Sequence, residues 1–393
     1  MSRGVLLLTT AALACSPRRT APGPVQNPLV KPDWRAVTNF LDSAVAGGAA
    51  PGAVLGVSVN GARFLHTSGQ LGADDGTPVD FSTVYDLASL TKVVGLATAL
   101  MLAVDEGKLD LDAPIMRYVP TFHGHLKEQV TARMLLAHAS GLPAWRPLSR
   151  ETGNRAGAIE LATRTPLESA PGAREAYSDL GSIVLTQAVE TIGAERLDSL
   201  LQRRVFGPLG MHSVRFLPAE DLERIAPTEL DPSRGRVLRG EVHDENAARM
   251  DGVSGHAGLF GSAPDLLTFA EWVLDRGQAD RRTGSSTVSS DRPTVSPPVL
   301  AEFTRRQELV PGSSRALGWD TPTPGGSAGS LLSAVSFGHT GFTGTSLWID
   351  PRHRLAIVLL SNRVNPTRNN PRWNPVRGRI ADLVMTTLFE DAR

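Results

Sequence analysis

Segments typical of β-strands lie at both ends of this 393-residue sequence, and the stretch between them is mostly helical. Residues 53–59 are predicted to form a strand and residues 62–67 its returning partner, separated by Asn60-Gly61, a dipeptide that favours a two-residue hairpin. Because a short pair of strands is rarely stable alone, we expect the strands from the two ends to share one sheet. The strands predicted near the carboxyl end are residues 334–338, 345–350 and 355–361.

The simplest architecture is one sheet built from both ends of the chain, covered by terminal helices, with a helical subdomain inserted between them. This is an α/β fold of the α+β kind, with an antiparallel sheet flanked by helices. The folded domain is predicted at residues 33–393, with a sheet part (33–88 and 300–393) and an inserted all-α part (89–299).

The charge balance and the cysteine content exclude several kinds of protein. Lysine plus arginine is 40 and aspartate plus glutamate is 40, so the net charge is zero and a strongly basic nucleic-acid binder is excluded. The single cysteine, Cys15, excludes an internal disulfide framework and a zinc site built from several cysteines. No stretch is apolar for long enough to predict a transmembrane helix.

The first 15 residues have the pattern of a secretory signal peptide. Arg3 precedes an apolar run over residues 4–14, and Cys15 stands where a bacterial lipoprotein carries its lipidated cysteine. Residues 16–32 are polar and rich in proline, as expected of a tether. We therefore expect an exported protein, periplasmic or on the cell surface, whose only membrane contact is a lipid anchor on Cys15. A plain signal peptide with an incidental cysteine is the alternative.

A serine and a lysine three residues apart begin a long apolar helix, predicted over residues 89–106. The spacing of Ser89 and Lys92 places both side chains on one helix face. The chain otherwise prefers arginine, which cannot give up its proton, whereas the pKa of a lysine can be tuned. The alternative is a surface lysine on an ordinary helix. Lysine occurs only at positions 31, 92, 108 and 127.

Two further motifs offer a base and an oxyanion site. Tyr177 and Asp179 are two residues apart in a loop, and a tyrosine near a lysine can lose its proton below its usual pKa. The third motif begins with His339 at the end of a predicted strand, and its Gly341 would let a substrate backbone approach closely. The amides of Ser89 and of Phe342, the last residue of that motif, are the candidate oxyanion hole.

In this order and spacing the three motifs resemble the serine β-lactamase and penicillin-binding-protein-like superfamily. The resemblance covers about residues 34–390 and implies an α/β sandwich with an all-α subdomain and the site between them. Residues 239–247 and 255–259 are similar to a branch of exported serine hydrolases and accessory penicillin-binding proteins, and the chain as a whole resembles exported serine hydrolases related to class C β-lactamases. The flanking segments similar to the family are residues 86–92, 135–143, 206–211 and 341–345.

The resemblance also implies the roles of the site residues. Ser89 would be the nucleophile, Lys92 its activator, and Tyr177 the general base that later protonates the leaving group. Acylation would give a Ser89 ester that water hydrolyses. The residues implied to bind substrate are Asp179, His339, Thr340 and Gly341.

Two residues depart from the family pattern. Asp179 stands where asparagine is usual, and a carboxylate near Lys92 would raise the pKa of the lysine and favour Tyr177 as the base. His339 stands where lysine is common, and a neutral imidazole is a poorer partner for a substrate carboxylate. Both departures argue against an efficient β-lactamase.

The sequence thus predicts a serine hydrolase that acts on amide or ester bonds of a small substrate, most simply a D-amino-acid peptide. A carboxylesterase or a weak class C-type β-lactamase is the alternative, and a catalytically silent scaffold is the alternative from another class. No cofactor and no metal is expected, and the oligomeric state is left open. A cluster of acidic and histidine residues lacks the ligand spacing of a zinc site; its members are His243, Asp244, Glu245 and His256.

Overall fold

A six-stranded antiparallel sheet is built from both ends of the chain, as the sequence predicts. The computed structural model describes Met1 and residues 32–218, 222–277 and 292–389. The strands are β1 (Gly52–Val59), β2 (Ala62–Gly72), β3 (Asp75–Pro78), β4 (Tyr85–Asp86), β5 (Arg215–Phe216), β6 (Leu230–Asp231), β7 (Arg236–Val237), β8 (Leu259–Gly261), β9 (Phe337–Thr340), β10 (Ser346–Asp350) and β11 (Leu355–Ser361). The sheet order is β3-β2-β1-β11-β10-β9, so β1 and β11, from opposite ends of the chain, pair at its centre.

Two smaller sheets lie outside this one. β4, β8 and β5 form a three-stranded antiparallel sheet, and β6 pairs with β7. β4 matters most for function, because it ends three residues before Ser89.

Helices cover the main sheet and fill the middle of the chain. The α-helices are α1 (Arg35–Ala46), α2 (Thr98–Asp105), α3 (Ala132–Leu136), α4 (Leu148–Glu151), α5 (Arg155–Arg164), α6 (Asp179–Gly193), α7 (Leu197–Leu201), α8 (Gly207–Leu209), α9 (Glu245–Arg249), α10 (Ala263–Arg276), α11 (Pro297–Thr304) and α12 (Asn374–Leu388). Short 3₁₀ turns are Ala88–Leu90, Ile115–Arg117, Lys127–Gln129 and Leu222–Arg224, and π-helical turns are Thr91–Ala97 and Gln202–Phe206.

The two faces of the sheet are buried under different helices. On one face Leu55 and Val57 of β1 pack in a cluster with Leu41 of α1 and Ile380 of α12. On the other face Val54 belongs to the larger core, which contains α10 and the helices of the middle of the chain. Because successive side chains of a strand point to opposite faces, one strand contributes to both cores. The predicted fold class is therefore confirmed.

Helix α10 belongs to the layer on the sheet, although the predicted division places it in the inserted helical part. Leu267 of α10 packs against Gly56 of β1. The hydroxyl of Ser58 donates to Glu271 of the same helix at 2.7 Å. The helical part that frames the site therefore ends before α10.

Strand β9 begins three residues after the predicted position. Ser333 and Ser336 form a turn there, and the amide and hydroxyl of Ser333 both donate to the buried carboxylate of Asp350. His339 and Thr340 consequently lie within the edge strand of the sheet, and not beyond its end.

The apolar helix that follows the serine consists of the 3₁₀ turn, the π-helical turn and α2 in succession. The segment Ala88–Asp105 is long and apolar enough to span a membrane. The expectation that no stretch of the chain is apolar for long enough was therefore wrong. Within the fold 83% of this segment is buried, so it occupies the position of a core helix.

The chain divides into a unit Trp34–Arg393 and a separate unit Met1–Asp33. The signal-peptide residues after Met1, Cys15 and the tether up to residue 31 lie outside the described residues.

Candidate active site

Ser89 lies in a strained turn directly after β4. Ala88, the residue before it, has a φ of 46°, which costs a non-glycine residue about 1 kcal/mol. The buried carboxylate of Asp86 accepts a hydrogen bond from the Ala88 amide at 2.8 Å and holds this conformation. Ala88 and Leu90 are buried, whereas Ser89 is partly exposed, so the turn leaves the Ser89 side chain accessible to solvent.

Two threonine hydroxyls tie the segment after β9 to this turn. Thr343 donates to the carbonyl of Asp86 at 2.7 Å, and Thr345 donates to the carbonyl of Leu87 at 3.0 Å. A Cβ on Gly341 would overlap the Thr345 hydroxyl and the Leu87 carbonyl. These two internal contacts are enough to require glycine at position 341. The sequence had suggested a different reason, the close approach of a substrate backbone.

Lys92 is buried and makes three hydrogen-bonded contacts. Its Nζ lies 3.1 Å from Ser89 Oγ, 3.0 Å from the carbonyl oxygen of His256 and 2.7 Å from Asp179 Oδ1. Burial lowers the pKa of Lys92, but Asp179 and Tyr177 outweigh burial, so the pKa lies above its usual value. An ammonium is a donor only and has no lone pair with which to accept a proton. Lys92 is therefore a hydrogen-bond donor to Ser89 and not the acceptor of its proton.

Tyr177 is the remaining basic group next to the serine. The side chains of Ser89 and Lys92 lie next to its hydroxyl, and Lys92 Nζ lies 4.9 Å from its ring centroid. Burial raises the pKa of Tyr177, and the lowering by Lys92 is smaller, so the phenol is protonated at neutral pH. The expectation of a lowered pKa is wrong because removal of the ring from water disfavours the phenolate more than one ammonium favours it.

Two neutral histidines flank Tyr177. The ring centroids of His138 and His339 lie 4.5 Å and 5.9 Å from that of Tyr177. Burial lowers the pKa of His138 far below its usual value and that of His339 to about 4. His138 Nδ1 accepts from the Ser178 amide at 3.1 Å, and His339 Nδ1 donates to the Thr340 carbonyl at 2.8 Å. At neutral pH His339 therefore offers a substrate carboxylate no positive charge.

The predicted oxyanion donors lie on neighbouring segments. Gly341 packs against Ala88, which brings Phe342 beside the turn that carries Ser89. Among the described residues the Phe342 amide has no hydrogen-bond acceptor. Its ring is 48% exposed and lies 4.8 Å from the guanidinium of Arg363. The Phe342 amide is thus available to a ligand oxygen.

A buried histidine–aspartate pair lies behind Lys92. His256 Nε2 is 2.8 Å from Asp244 Oδ1, and its Nδ1 is 2.8 Å from the hydroxyl of Ser254. Burial raises the pKa of Asp244, but His256 and Lys92 outweigh it and hold the pKa well below its usual value. Both ring nitrogens of His256 therefore have hydrogen-bond partners. These contacts fix the position of the residue and so of its backbone carbonyl, which accepts a hydrogen bond from Lys92.

The other histidine of this region also has a polar partner. His243 Nε2 lies 2.9 Å from Glu229, and the His243 amide donates to Asp86 at 2.7 Å. In residues 32–218, 222–277 and 292–389, no group of three or more His, Cys, Asp or Glu side chains could hold a metal ion.

Three residues of this site were not identified from the sequence, and a fourth, His256, was named there only as part of the cluster that lacks the spacing of a zinc site. All are polar and lie inside or next to the quoted motifs, which is the only signal they give. The distant partners of the last three lie 164 to 258 residues away, so spacing along the chain could not reveal them. They are Asp86, His256, Thr343 and Thr345.

The arrangement suits acylation of Ser89 by a substrate carbonyl group. It combines a partly exposed hydroxyl, an ammonium that donates to it, a phenol next to both and a free amide beside the nucleophile turn. A serine that attacks a carbonyl carbon needs these groups, because they activate its hydroxyl and stabilise the oxyanion that forms.

Comparison with known proteins gives a consistent picture. The family model described as Beta-lactamase matches residues 37–382. A candidate D-alanyl-D-alanine carboxypeptidase of Salmonella schwarzengrund is 33% identical over 329 residues, which cover 75% of this chain and 72% of that protein.

Solved structures show the same fold at lower identity. The octameric penicillin-binding protein homologue from Pyrococcus abyssi has a TM-score of 0.70 at 21% identity, covering 91% of this chain and 78% of that one. The D-amino acid amidase from Ochrobactrum anthropi has a TM-score of 0.69 at 21% identity, covering 91% and 99%.

Proposed function

This chain belongs to the beta-lactamase family, and we propose that it is a serine hydrolase that cleaves D-amino-acid peptides through an acyl-enzyme on Ser89. The observation that carries the proposal is the contact of Lys92 Nζ with Ser89 Oγ at 3.1 Å, with the ring centroid of Tyr177 4.9 Å from the same ammonium. The Salmonella relative is named for D-alanyl-D-alanine carboxypeptidase activity, which supports a D-Ala-D-Ala terminus as the substrate.

In the acylation step Tyr177 acts from its phenolate form. The phenolate takes the proton of Ser89 as Oγ forms a bond to the substrate carbonyl carbon. Lys92 keeps its three protons and stabilises the negative charge on either oxygen, and the amides of Ser89 and Phe342 stabilise the carbonyl oxyanion. Tyr177 then gives the proton to the leaving amine as the C–N bond breaks, and a Ser89 ester remains.

In the deacylation step water replaces the amine. Tyr177 accepts a proton from the water that attacks the ester, and it returns that proton to Ser89 Oγ as the ester C–O bond breaks. The products are the regenerated serine and a carboxylic acid, which loses its proton to solvent.

The first test is the intact mass of the folded chain after incubation with a fluorophosphonate and, separately, with a penicillin, with Ser89→Ala as the control. One adduct per chain that Ser89→Ala abolishes is expected from both reagents. A fluorophosphonate adduct alone would favour a carboxylesterase. The absence of any adduct on folded protein would contradict the proposal and favour a silent scaffold.

The same protein separates the substrate classes. We expect hydrolysis of a D-Ala-D-Ala peptide to exceed that of a short-chain ester and of a chromogenic cephalosporin. The name of the Salmonella relative supports this order, whereas neutral His339 offers no positive charge to the carboxylate of either the peptide or the cephalosporin. Faster turnover of the cephalosporin would show a β-lactamase instead.

We further propose that the protein is exported and anchored by a lipid on Cys15. The apolar run up to Ala14 and the proline-rich tether after Cys15 support this proposal. Expressed from its full sequence, the protein should partition into detergent and incorporate labelled fatty acid, and Cys15→Ser should abolish both. Incorporation by the Cys15→Ser variant would contradict the anchor.

A further inference from the structure

A groove of about 800 Å³ borders the site, lined by the loop around Trp145, by α9 and by the turn around Arg368. Two of its arginines, Arg150 on α4 and Arg249 on α9, are exposed. Neither has a carboxylate partner within the part of the chain that the structure describes, and Arg249 donates only to the carbonyl of Gly153 at 3.2 Å.

The acidic residues of the groove cannot neutralise these two arginines, because they are already paired. Glu229 and Glu245 bind Arg368, with contacts of 2.5 Å and 2.9 Å. Asp231 binds Arg234 at 3.1 Å. The groove lining therefore holds four arginines and three carboxylates, a net charge of +1, and Arg150 and Arg249 are the arginines without a carboxylate contact there.

The groove adjoins the catalytic cluster on two sides. Trp145 follows Ala144, whose carbonyl accepts a hydrogen bond from the Asp179 amide at 3.0 Å. The guanidinium of Arg368 lies 5.9 Å from the ring centroid of Phe342. A ligand bound at Ser89 can therefore continue into the groove beside Phe342.

The side chains of the groove suit a particular ligand. Trp145 is 49% exposed and offers a flat apolar face. Guanidinium groups bind carboxylates through paired, parallel hydrogen bonds, and an exposed tryptophan face packs well against a peptide segment. Together they fit a peptide chain that carries a carboxylate.

We propose that this groove binds a carboxylate-bearing peptide segment on the acyl side of the substrate, held by Arg150 and Arg249 with Trp145 as its platform. The inference rests on the proposed function, in which the Phe342 amide holds the carbonyl of the acyl part. The proposal places the segment that enters the groove before the scissile bond, next to the carbonyl that the Phe342 amide would hold. The groove selects acidic peptides over neutral ones.

The test uses two peptides of nearly equal shape, acetyl-Glu-Gly-D-Ala-D-Ala and its glutamine counterpart. Calorimetry measures their dissociation constants for the Ser89→Ala variant, which cannot form the acyl-enzyme. We expect the glutamate peptide to bind about fivefold more tightly at low ionic strength, as exposed ion pairs contribute little each. The ratio should shrink as salt is raised.

Two double variants in the Ser89→Ala background decide the assignment. Arg150→Gln with Arg249→Gln should bring the ratio close to one. Arg196→Gln with Arg203→Gln, two exposed arginines outside the groove, should keep the fivefold preference. Equal binding of the two peptides, no binding of either, or a ratio that the groove variants leave unchanged would overturn the proposal.

Turnover by the chain with Ser89 intact separates this inference from the proposed function. Selective binding without hydrolysis of either peptide would support the groove and contradict the peptidase. Hydrolysis of both peptides at equal kcat/KM would support the peptidase and overturn the groove.

Discussion

The ammonium of Lys92 lies 2.7 Å from the carboxylate of Asp179, in a pair that is almost fully buried on the lysine side. This contact fixes Lys92 as a cation next to Ser89. It also places a negative charge near Tyr177, and Asp179 contributes to the raised pKa of that phenol. Asp179, the residue that departs from the family pattern, therefore influences the protonation of both Lys92 and the base Tyr177.

Asp179→Asn should retain or increase activity at neutral pH. Removal of the carboxylate removes one cause of the raised pKa of Tyr177, so a larger fraction of the enzyme carries the phenolate. We expect kcat/KM at pH 7 to change by a factor of about one to ten, since one pKa unit corresponds to tenfold in population. Steady-state kinetics on a D-Ala-D-Ala peptide measures it, and total loss of activity would give the carboxylate a role of its own.

The kcat/KM of the unmodified enzyme should rise with pH into the alkaline range. The reactive form has deprotonated Tyr177, and because burial raises the pKa of this phenol the reactive fraction grows as pH increases. The expected slope is about tenfold per pH unit below that pKa for a single proton.

Rates between pH 6 and 10 test this dependence, with Tyr177→Phe as the comparison. That variant should lose a factor of about 10²–10⁴ and the alkaline rise with it. A flat profile for the unmodified enzyme would exclude Tyr177 as the titrating base.

His256→Asn should lower kcat while KM changes little. The imidazole is held by Asp244 and Ser254, and its loss frees the carbonyl that positions Lys92. We expect a fall in kcat of about tenfold, as for a misplaced catalytic group. The rate of adduct formation with a fluorophosphonate measures the same effect directly.

Ser254→Ala is the matched control for His256→Asn, because it removes one hydrogen bond and leaves the contact with Asp244. It should cost less activity than His256→Asn. Wild-type kinetics for His256→Asn on folded protein would show that the pair is structural only.

Gly341→Ala should destabilise the fold and slow acylation. The new methyl group would overlap the hydroxyl of Thr345 and the carbonyl of Leu87, so the nucleophile turn must move. Overpacking of this kind costs about 1–3 kcal/mol. Thermal unfolding should show a lower Tm than for Gly153→Ala, where no atom lies within 4 Å of the added group. Equal Tm values would contradict the packing argument.

The sequence by itself determined the fold class, the sharing of one sheet by the two ends of the chain, and the short motifs that carry Ser89, Lys92 and Tyr177. These are local properties, because hydrophobic periodicity and spacing of a few residues are set by neighbours along the chain. The start of β9 was predicted three residues too early, because the turn that delays it depends on Asp350 in the next strand.

Only the tertiary structure decided how these motifs act together. Thr343 and Thr345 hold the nucleophile turn from more than 250 residues away, and His256 positions Lys92 across 164 residues. The protonation of Tyr177 was also decided there, since it depends on how far burial outweighs one ammonium. Desolvation is a property of the packed surroundings of a group, and sequence neighbours do not specify it.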